Sequence, residues 1–429
     1  MNVATRLRTD SVRASTSYLE EKEFSQCSRS MLQITDVLMA TFATGSTIEN
    51  NASEQVVGTG LRVVELSYED LTDEFVARWA QLESRSVEGN AFLSPHFVIP
   101  AVEHLEGAYD QKPLILAVES EDDSRLLALG LFETSRSSRL LPLTHLQSWR
   151  CEHTLFDGLL VDQQLGTAAL ATFFNWLSRQ GRRWQGVAFT DRSADGELND
   201  MLEIAAAASG ARWFEDWFRE RAIIPIEEVP EDCLQSLYSK NRRRNFKRAE
   251  KQLATHGAVS FSCLDRANTS TEHVQTFLEL EAMGWKSDAG TALLSASGHE
   301  QFCREMASRF AADEQLVIYQ LSVDGSPVAS ALNMRSADDL FCFKIGWNPD
   351  FASGSPGILN ELNFLQNCRE NLSDFRLADS CSKPGSYVED VWPWKRRLTT
   401  GVFTTTRTGT LAANAMIQLK RMKRLLKNA

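Results

Sequence analysis

The apolar positions change period several times along the chain, and each change marks an element. "LRVVELS" (61–67) is strand-like and opens the first folded unit. Apolar residues then recur at helical spacing over Asp70–Leu82, with Phe75, Trp79 and Leu82 on one face, and again over Pro95–Leu105. "PLILAVES" and "RLLALGLFE" flank the acidic turn "EDDS" and predict a hairpin. A third strand, "TLFDGLLVD", leads into the helix "TAALATFFNWLSRQG", which Gly181 ends. The strand "WQGVAFT" and the helix "DGELNDMLEIAAAASG" complete the first half.

The second half repeats this order. Helical spacing over Thr271–Trp285 and His299–Ala312 precedes "QLVIYQLSV", the turn "DGSP" and "VASALNM". The strand "LFCFKIGWN", a Gly/Ser/Pro loop and the helix "GILNELNFLQNCREN" follow, then the strands "DFRLADS" and "WKRRLTTGVFTTT". The shared order of elements predicts two copies of one α/β unit, at 59–228 and 229–408. A last amphipathic helix, Leu411–Ala429, carries apolar Ile417, Leu419, Met422 and Leu426, and its apolar side is expected to pack on the second copy. Residues 1–58 read as a poorly ordered leader, with Arg6, Arg8 and Arg13 followed by Glu20, Glu21 and Glu23.

Length agrees with this division, since 429 residues exceed one ordinary core. The net charge of -12 removes long-range attraction to nucleic acid as a property of the whole chain, so any basic function is local. Eight cysteines without a C-x-x-C pair and seven dispersed histidines give no metal or disulfide framework. Reduced thiols in a cytoplasmic protein are the simpler expectation.

Two turns suit an anion. In "FASGSPGILNELNF" (351–364) a strand meets a helix, with Ser355 suited to the N-cap, Pro356 to the first helical position, and Gly354 and Gly357 to close backbone approach. The helix N-terminus could therefore hold a pyrophosphate, with Ser353, Gly354, Ser355, Gly357 and Ile358 around it. A capped strand-to-helix turn without ligand has the same pattern. The first copy carries a rival at the equivalent place, "QQLGTA" (163–168).

Five stretches together resemble the CelD-type branch of GNAT-like acyltransferases. They are "SKNRRRNFKRAEKQL" (239–253), "LELEAMGWKSDAGTAL" (278–293), "VDGSPVASAL" (323–332), "SPGILNE" (355–361) and "ADSCSKPGSYVEDVWPWKRRL" (378–398). The resemblance implies two tandem GNAT-like domains, with mixed, mostly antiparallel sheets flanked by helices and with kinship of fold to the Fem-type aminoacyl transferases. It implies acyl transfer, the donor an acyl-CoA such as acetyl-CoA bound in the second copy and needing no metal. The acceptor would be an amine or hydroxyl of a small molecule, envelope or polysaccharide precursor in a cleft between copies. "QQLGTA" similarly fits the Q-x-x-G-x-A form in which GNAT enzymes hold coenzyme A. Ser287 and Asp288 stand where the branch commonly has Gly and Arg, and "SKPGSYVED" replaces a His-rich turn.

Thioester acyl transfer asks for a deprotonated acceptor, a polarised carbonyl and a protonated leaving thiolate. Asp379, at the end of "FRLAD", could orient or deprotonate the acceptor, or merely start a turn. Glu281 could serve as base and Lys286 could meet an anionic acceptor or the donor's phosphates, although an exposed charge pair is the plainer reading. Trp285 could stack on the acceptor or belong to the core. Lys395 and Arg396 could meet phosphate or carboxylate. Cys381 as nucleophile ranks below direct transfer, because no histidine follows His299.

The basic segment "YSKNRRRNFKRAEKQL" (238–253) reads as a helix capped by Ser239, with Phe246, Ala249 and Leu253 forming one apolar stripe. It is expected in the interdomain cleft, with Arg242, Arg243 and Lys247 facing an anionic substrate rather than nucleic acid. Fem-type transfer from aminoacyl-tRNA and a non-catalytic GNAT-like scaffold are the alternatives. A membrane surface is a lesser option for the last helix.

Overall fold

A computed structural model describes residues 60–105, 112–136, 138–265, 268–283, 290 and 292–428. The leader expected at 1–58, and Trp285 and Lys286 of the expected site, lie outside the described residues.

The first half runs β1 (Leu61–Ser67), α1 (Asp73–Ser84), α2 (Pro95–His104), β2 (Leu114–Ser120), β3 (Leu126–Ser135), β4 (His145–Ser148), β5 (Leu160–Val161), α3 (Gly166–Arg179), β6 (Gly186–Ser193), α4 (Glu197–Ala208) and β7 (Arg212–Pro225). The second half runs α5 (Cys233–Leu237), α6 (Lys240–Leu253), β8 (Val259–Asp265), α7 (Thr271–Glu281), α8 (Ser297–Ala312), β9 (Leu316–Val323), β10 (Ser326–Ser336), β11 (Asp339–Trp347), α9 (Pro356–Asn371), β12 (Leu377–Asp379) and β13 (Trp394–Thr404). The last helix is α10 (Arg407–Asn428).

Local chemistry sets several boundaries. The Thr72 hydroxyl accepts from Phe75 N at 3.2 Å, so α1 starts three residues later than its apolar spacing predicts. Ser94 caps α2, with Pro95 in the first turn. The strand expected over "TLFDGLLVD" contracts to Leu160–Val161 because Asp157 upstream accepts instead from Thr190 N at 2.7 Å and Gly158 N at 2.6 Å.

Among the described residues the strands form one mixed sheet, ordered β1-β2-β3-β4-β6-β13-β7-β12-β11-β10-β9-β8, with β5 beside β3. The last strand of each half sits within the other half's territory. β13 lies between β6 and β7, antiparallel to both, and β7 lies between β13 and β12. The expected paired units thus share one sheet through exchanged strands.

Helices cover both faces. On one face α1, α2, α7 and α8 enclose a core that spans the halves, with Phe97 edge-on to Phe302 at 5.3 Å and Phe92 edge-on to Phe341 at 5.9 Å. On the other, α6 and α9 cover the second half, and α3 and α4 the first. One glycine controls how closely α7 approaches the sheet. A Cβ on Gly346 of β11 would stand 2.2 Å from the Glu281 backbone nitrogen. Gly346→Ala is therefore expected to cost about 3 kcal/mol, the upper end of overpacking penalties, because neither backbone can yield easily; urea unfolding measures this.

Candidate functional site

The second half contains an opening in the sheet. β11 and β12 run parallel, but their ladder extends only from Asp339↔Leu377 to Phe341↔Asp379. Beyond it β11 continues to Trp347 along β10, while the other chain turns away at Cys381, whose φ is 51°. The Asp379 carboxylate accepts from Cys381 N at 2.8 Å and fixes that turn. Between the diverging segments lies a cavity of about 340 Å³, lined by Tyr319, Cys342, Lys344, Glu361, Cys381 and Tyr387 among others.

Glu361 is the unusual group in this cavity. It is buried on α9, and the Tyr319 hydroxyl stands 3.1 Å from each of its carboxylate oxygens, able to donate to one at a time. Burial pushes its pKa up to about 8, against the opposing effect of the Tyr319 hydrogen bond. Burial also pushes the Cys342 and Cys381 thiols up, so both remain protonated and are poor nucleophiles.

The glycine-rich turn before α9 differs from expectation. Ser355 adopts a left-handed conformation, with φ 48° and ψ 56°, and its side chain makes no capping bond. A Cβ on Gly354 would lie 2.9 Å from Leu253 Cβ, and one on Gly357 3.3 Å from Trp347 Cδ1. These glycines make room for α6 and for Trp347 rather than for open solvent. Ser353 is exposed and Ile358 half-buried, at the same end of α9. The rival turn in the first half is filled by the protein itself. Asp162 Oδ1 accepts from Gln164 N at 3.0 Å and Leu165 N at 2.9 Å, and its Oδ2 receives Arg85 and Arg125 at 2.8 and 2.7 Å. That carboxylate stands where a bound anion would.

Asp379 does not project free from its strand end into a cleft, and Arg396 is not free to meet a substrate phosphate or carboxylate, contrary to both expectations. Asp379 has 0% exposure and pairs with Arg221 at 3.3 Å and Arg396 at 3.1 Å. Burial alone would raise its pKa, but Arg221 and then Arg396 outweigh it and hold the carboxyl below its ordinary value. Arg396 also pairs with Glu88 of the first half and lies over the Phe156 ring. Its charge is consumed by the junction between halves. Lys395 is exposed, 3.4 Å from Glu389 and 3.6 Å from Glu220.

The basic helix α6 packs on the second half rather than in a cleft between the halves. Tyr238, Phe246 and Leu253 join the core beneath α9. Arg242 reaches the Asp390 carbonyl at 3.0 Å and its carboxylate at 3.4 Å. Arg243 donates to the Gln235 and Tyr238 carbonyls at 3.1 and 3.2 Å. With Lys247 it borders a separate groove against α9 and β8, away from the Glu361 cavity. Glu281 is buried on α7, where it accepts from Leu293 N at 2.8 Å. Nearby on the same sheet face, His153 stacks on Phe302 and its Nε2 lies 3.1 Å from His299 Nδ1. Burial, then Lys344 and His299, push His153 down to about 3, so it is neutral.

Sequence reasoning missed Glu361 and Tyr319. The signal was present, because Glu361 interrupts the apolar stripe Gly357, Phe364, Leu365 and Cys368 of α9.

Two α/β units that exchange strands, the second with its fourth and fifth strands, β11 and β12, splayed over a cavity, define a tandem GNAT-like fold. Residues 240–382 match the family described as the acetyltransferase (GNAT) domain. The solved structure of FemX is similar over 82% of this chain and 100% of its own, at 12% identity and a TM-score of 0.51, which shows the fold. The C-terminal domain of a putative lysylphosphatidylglycerol synthetase from Agrobacterium fabrum aligns over 82% of this chain and 96% of its own, at 14% identity and a TM-score of 0.48. A tandem GNAT protein from the clavulanic acid biosynthesis pathway aligns over 81% and 99%, at 14% and 0.38. No curated protein matches the sequence. No helix among the described residues is long and apolar enough to cross a membrane.

Proposed function

We propose that the chain transfers an acyl group from an acyl-CoA thioester, bound at the β11/β12 opening, to an amine or hydroxyl acceptor. The observation carrying this reading is the three-residue ladder and the cavity beyond it. The first half's rival turn is closed by Asp162, which favours the second half, 229–408, as the donor-binding unit. Ser353, Gly354, Ser355, Gly357 and Ile358 would border the donor's phosphates at the start of α9, where a helix terminus favours an anion.

In this reaction the acceptor nitrogen or oxygen attacks the thioester carbonyl carbon, the C–S bond breaks, the acceptor loses a proton and the thiolate gains one. Glu361, protonated at neutral pH, suits the second proton transfer, since its pKa of about 8 lies near that of a thiol. Asp379 acts as a positioning residue, holding the Cys381 turn at the cavity edge. Glu281 and Lys286 are proposed on the acceptor side, and Glu281 packs directly behind Gly346 of β11. The acceptor class remains the one implied by the family resemblance.

Calorimetric titration with acetyl-CoA and a longer acyl-CoA tests the donor. Binding is expected for the intact chain and is abolished in Gly357→Glu, whose side chain would meet Trp347 and place a carboxylate at the start of α9; thermal melting verifies that the variant is folded. Absence of binding to the intact chain overturns the acyl-CoA reading and leaves tRNA-linked transfer or a scaffold.

A further inference from the structure

The last helix packs only in part as its apolar spacing predicts, with Ile417 turned in and Leu419 and Met422 left out. Ala412, Met416 and Ile417 lie with Phe214 against Val402, and Lys420 pairs with Asp216 of β7. This leaves Leu411, Leu419 and Met422 outside, exposed by 69%, 46% and 52%. Their spacing of eight and three residues puts them on one stripe of the helix, pointing away from the sheet. Beside α10 stands a further exposed apolar group. Trp217 of β7, 41% exposed, pairs with Thr400, which shares its face of β13 with Val402 under the helix.

Charge distinguishes among the surfaces that could cover this stripe. Within residues 411–429 the sequence carries Lys420, Arg421, Lys423, Arg424 and Lys427 and no acid, in a chain whose net charge is -12. A second copy laid symmetrically on the stripe would bring two such clusters together, and like charges oppose that pairing. An apolar stripe contributes nothing to a polyanion such as RNA. An anionic bilayer surface accepts both features, because its headgroups are negative and its acyl boundary is apolar.

We propose that α10 and Trp217 form a docking surface for anionic lipid, with the helix lying in the membrane plane. Leu411, Leu419 and Met422 enter the boundary between headgroups and acyl chains, and Trp217 anchors at headgroup level. This is independent of the acyl-transfer reading.

Co-sedimentation of the full chain with phosphatidylglycerol-containing vesicles and with pure phosphatidylcholine vesicles tests the proposal. The expected result is binding to the anionic vesicles alone, weakened by high salt. Leu419→Glu/Met422→Glu is expected to lower the apparent affinity at least ~10-fold, through lost apolar insertion and added repulsion. Both sites are exposed, so folding is expected to survive, and a thermal melt verifies it. Lys423→Glu/Arg424→Glu, read in parallel, weakens binding through charge alone. Equal binding to neutral vesicles, no binding, or binding untouched by the variants overturns the proposal. A dimer in light scattering that the Leu419/Met422 variant dissociates, without vesicle binding, assigns the surface to a second copy instead.

Discussion

Glu361→Gln is expected to lower kcat for acyl transfer by about 10²-fold at neutral pH, the low end of the range for a lost general acid. Glutamine keeps the shape of the side chain and an acceptor for the Tyr319 hydroxyl, so the cavity and the KM for the donor should change little. What it removes is a proton whose pKa burial has pushed up to about 8. In the parent protein the rate should therefore fall as pH rises through about 8, and in the variant this alkaline limb should vanish. A purely structural role would lower the rate without removing the limb. Stability offers a second readout with a fixed sign. The folded protein holds this proton between the ordinary value of 4.5 and about 8, whereas the unfolded chain has released it. Stability therefore falls with rising pH across that window. Glu83, pushed up to about 7 by burial, adds to the slope over its own window from 4.5. The Gln variant should melt at a higher temperature than the parent near pH 8 and lose part of the slope. An unchanged rate profile would remove Glu361 from the chemistry.

The order of elements was legible because period, turn residues and length are local properties. "PLILAVES", "EDDS" and "RLLALGLFE" become β2, a turn and β3 because each carries its own apolar faces and breaker. β7 was not legible. Its "RWFEDWFRERAIIP" is rich in charge, and Arg219 and Arg221 look solvated until Asp191 and Asp379 arrive from far along the chain. The exchange of β7 and β13 is hidden for the same reason, since a strand's sequence states its faces but not its neighbours. Basic character on α6 misled in the opposite direction. Arg243 spends its charge on the carbonyls that end the preceding segment, and Arg242 on Asp390. Glu361 required the converse inference, that an acid on an apolar stripe is buried beside something that needs it.

Arg396→Ala is expected to destabilise the fold by about 3–5 kcal/mol, the cost of breaking a buried ion pair from one side. Arg396 joins Glu88 of the first half to Asp379 of the second, and all three are buried. Its removal leaves Glu88 without that partner and Asp379 with Arg221 alone. Burial disfavours the guanidinium charge, yet Glu88 and then Asp379 outweigh it and raise the pKa above its ordinary value. The loss therefore falls on the carboxylates left behind. Asp379 supplies a further check with the opposite sign to Glu361. Its lowered pKa stabilises the fold above the ordinary value of 3.8 and is lost as pH falls through the folded value, so the penalty in Arg396→Ala should shrink in acid. Lys395→Ala serves as the comparison. Its pairs with Glu220 and Glu389 are exposed and worth at most about 1 kcal/mol. Urea unfolding of the two variants at neutral and acidic pH should give a large, pH-dependent loss for one and almost none for the other. Similar small losses would mean that the junction between the halves rests on the shared phenylalanine core and the β7–β13 ladder, and that its charges merely fill space.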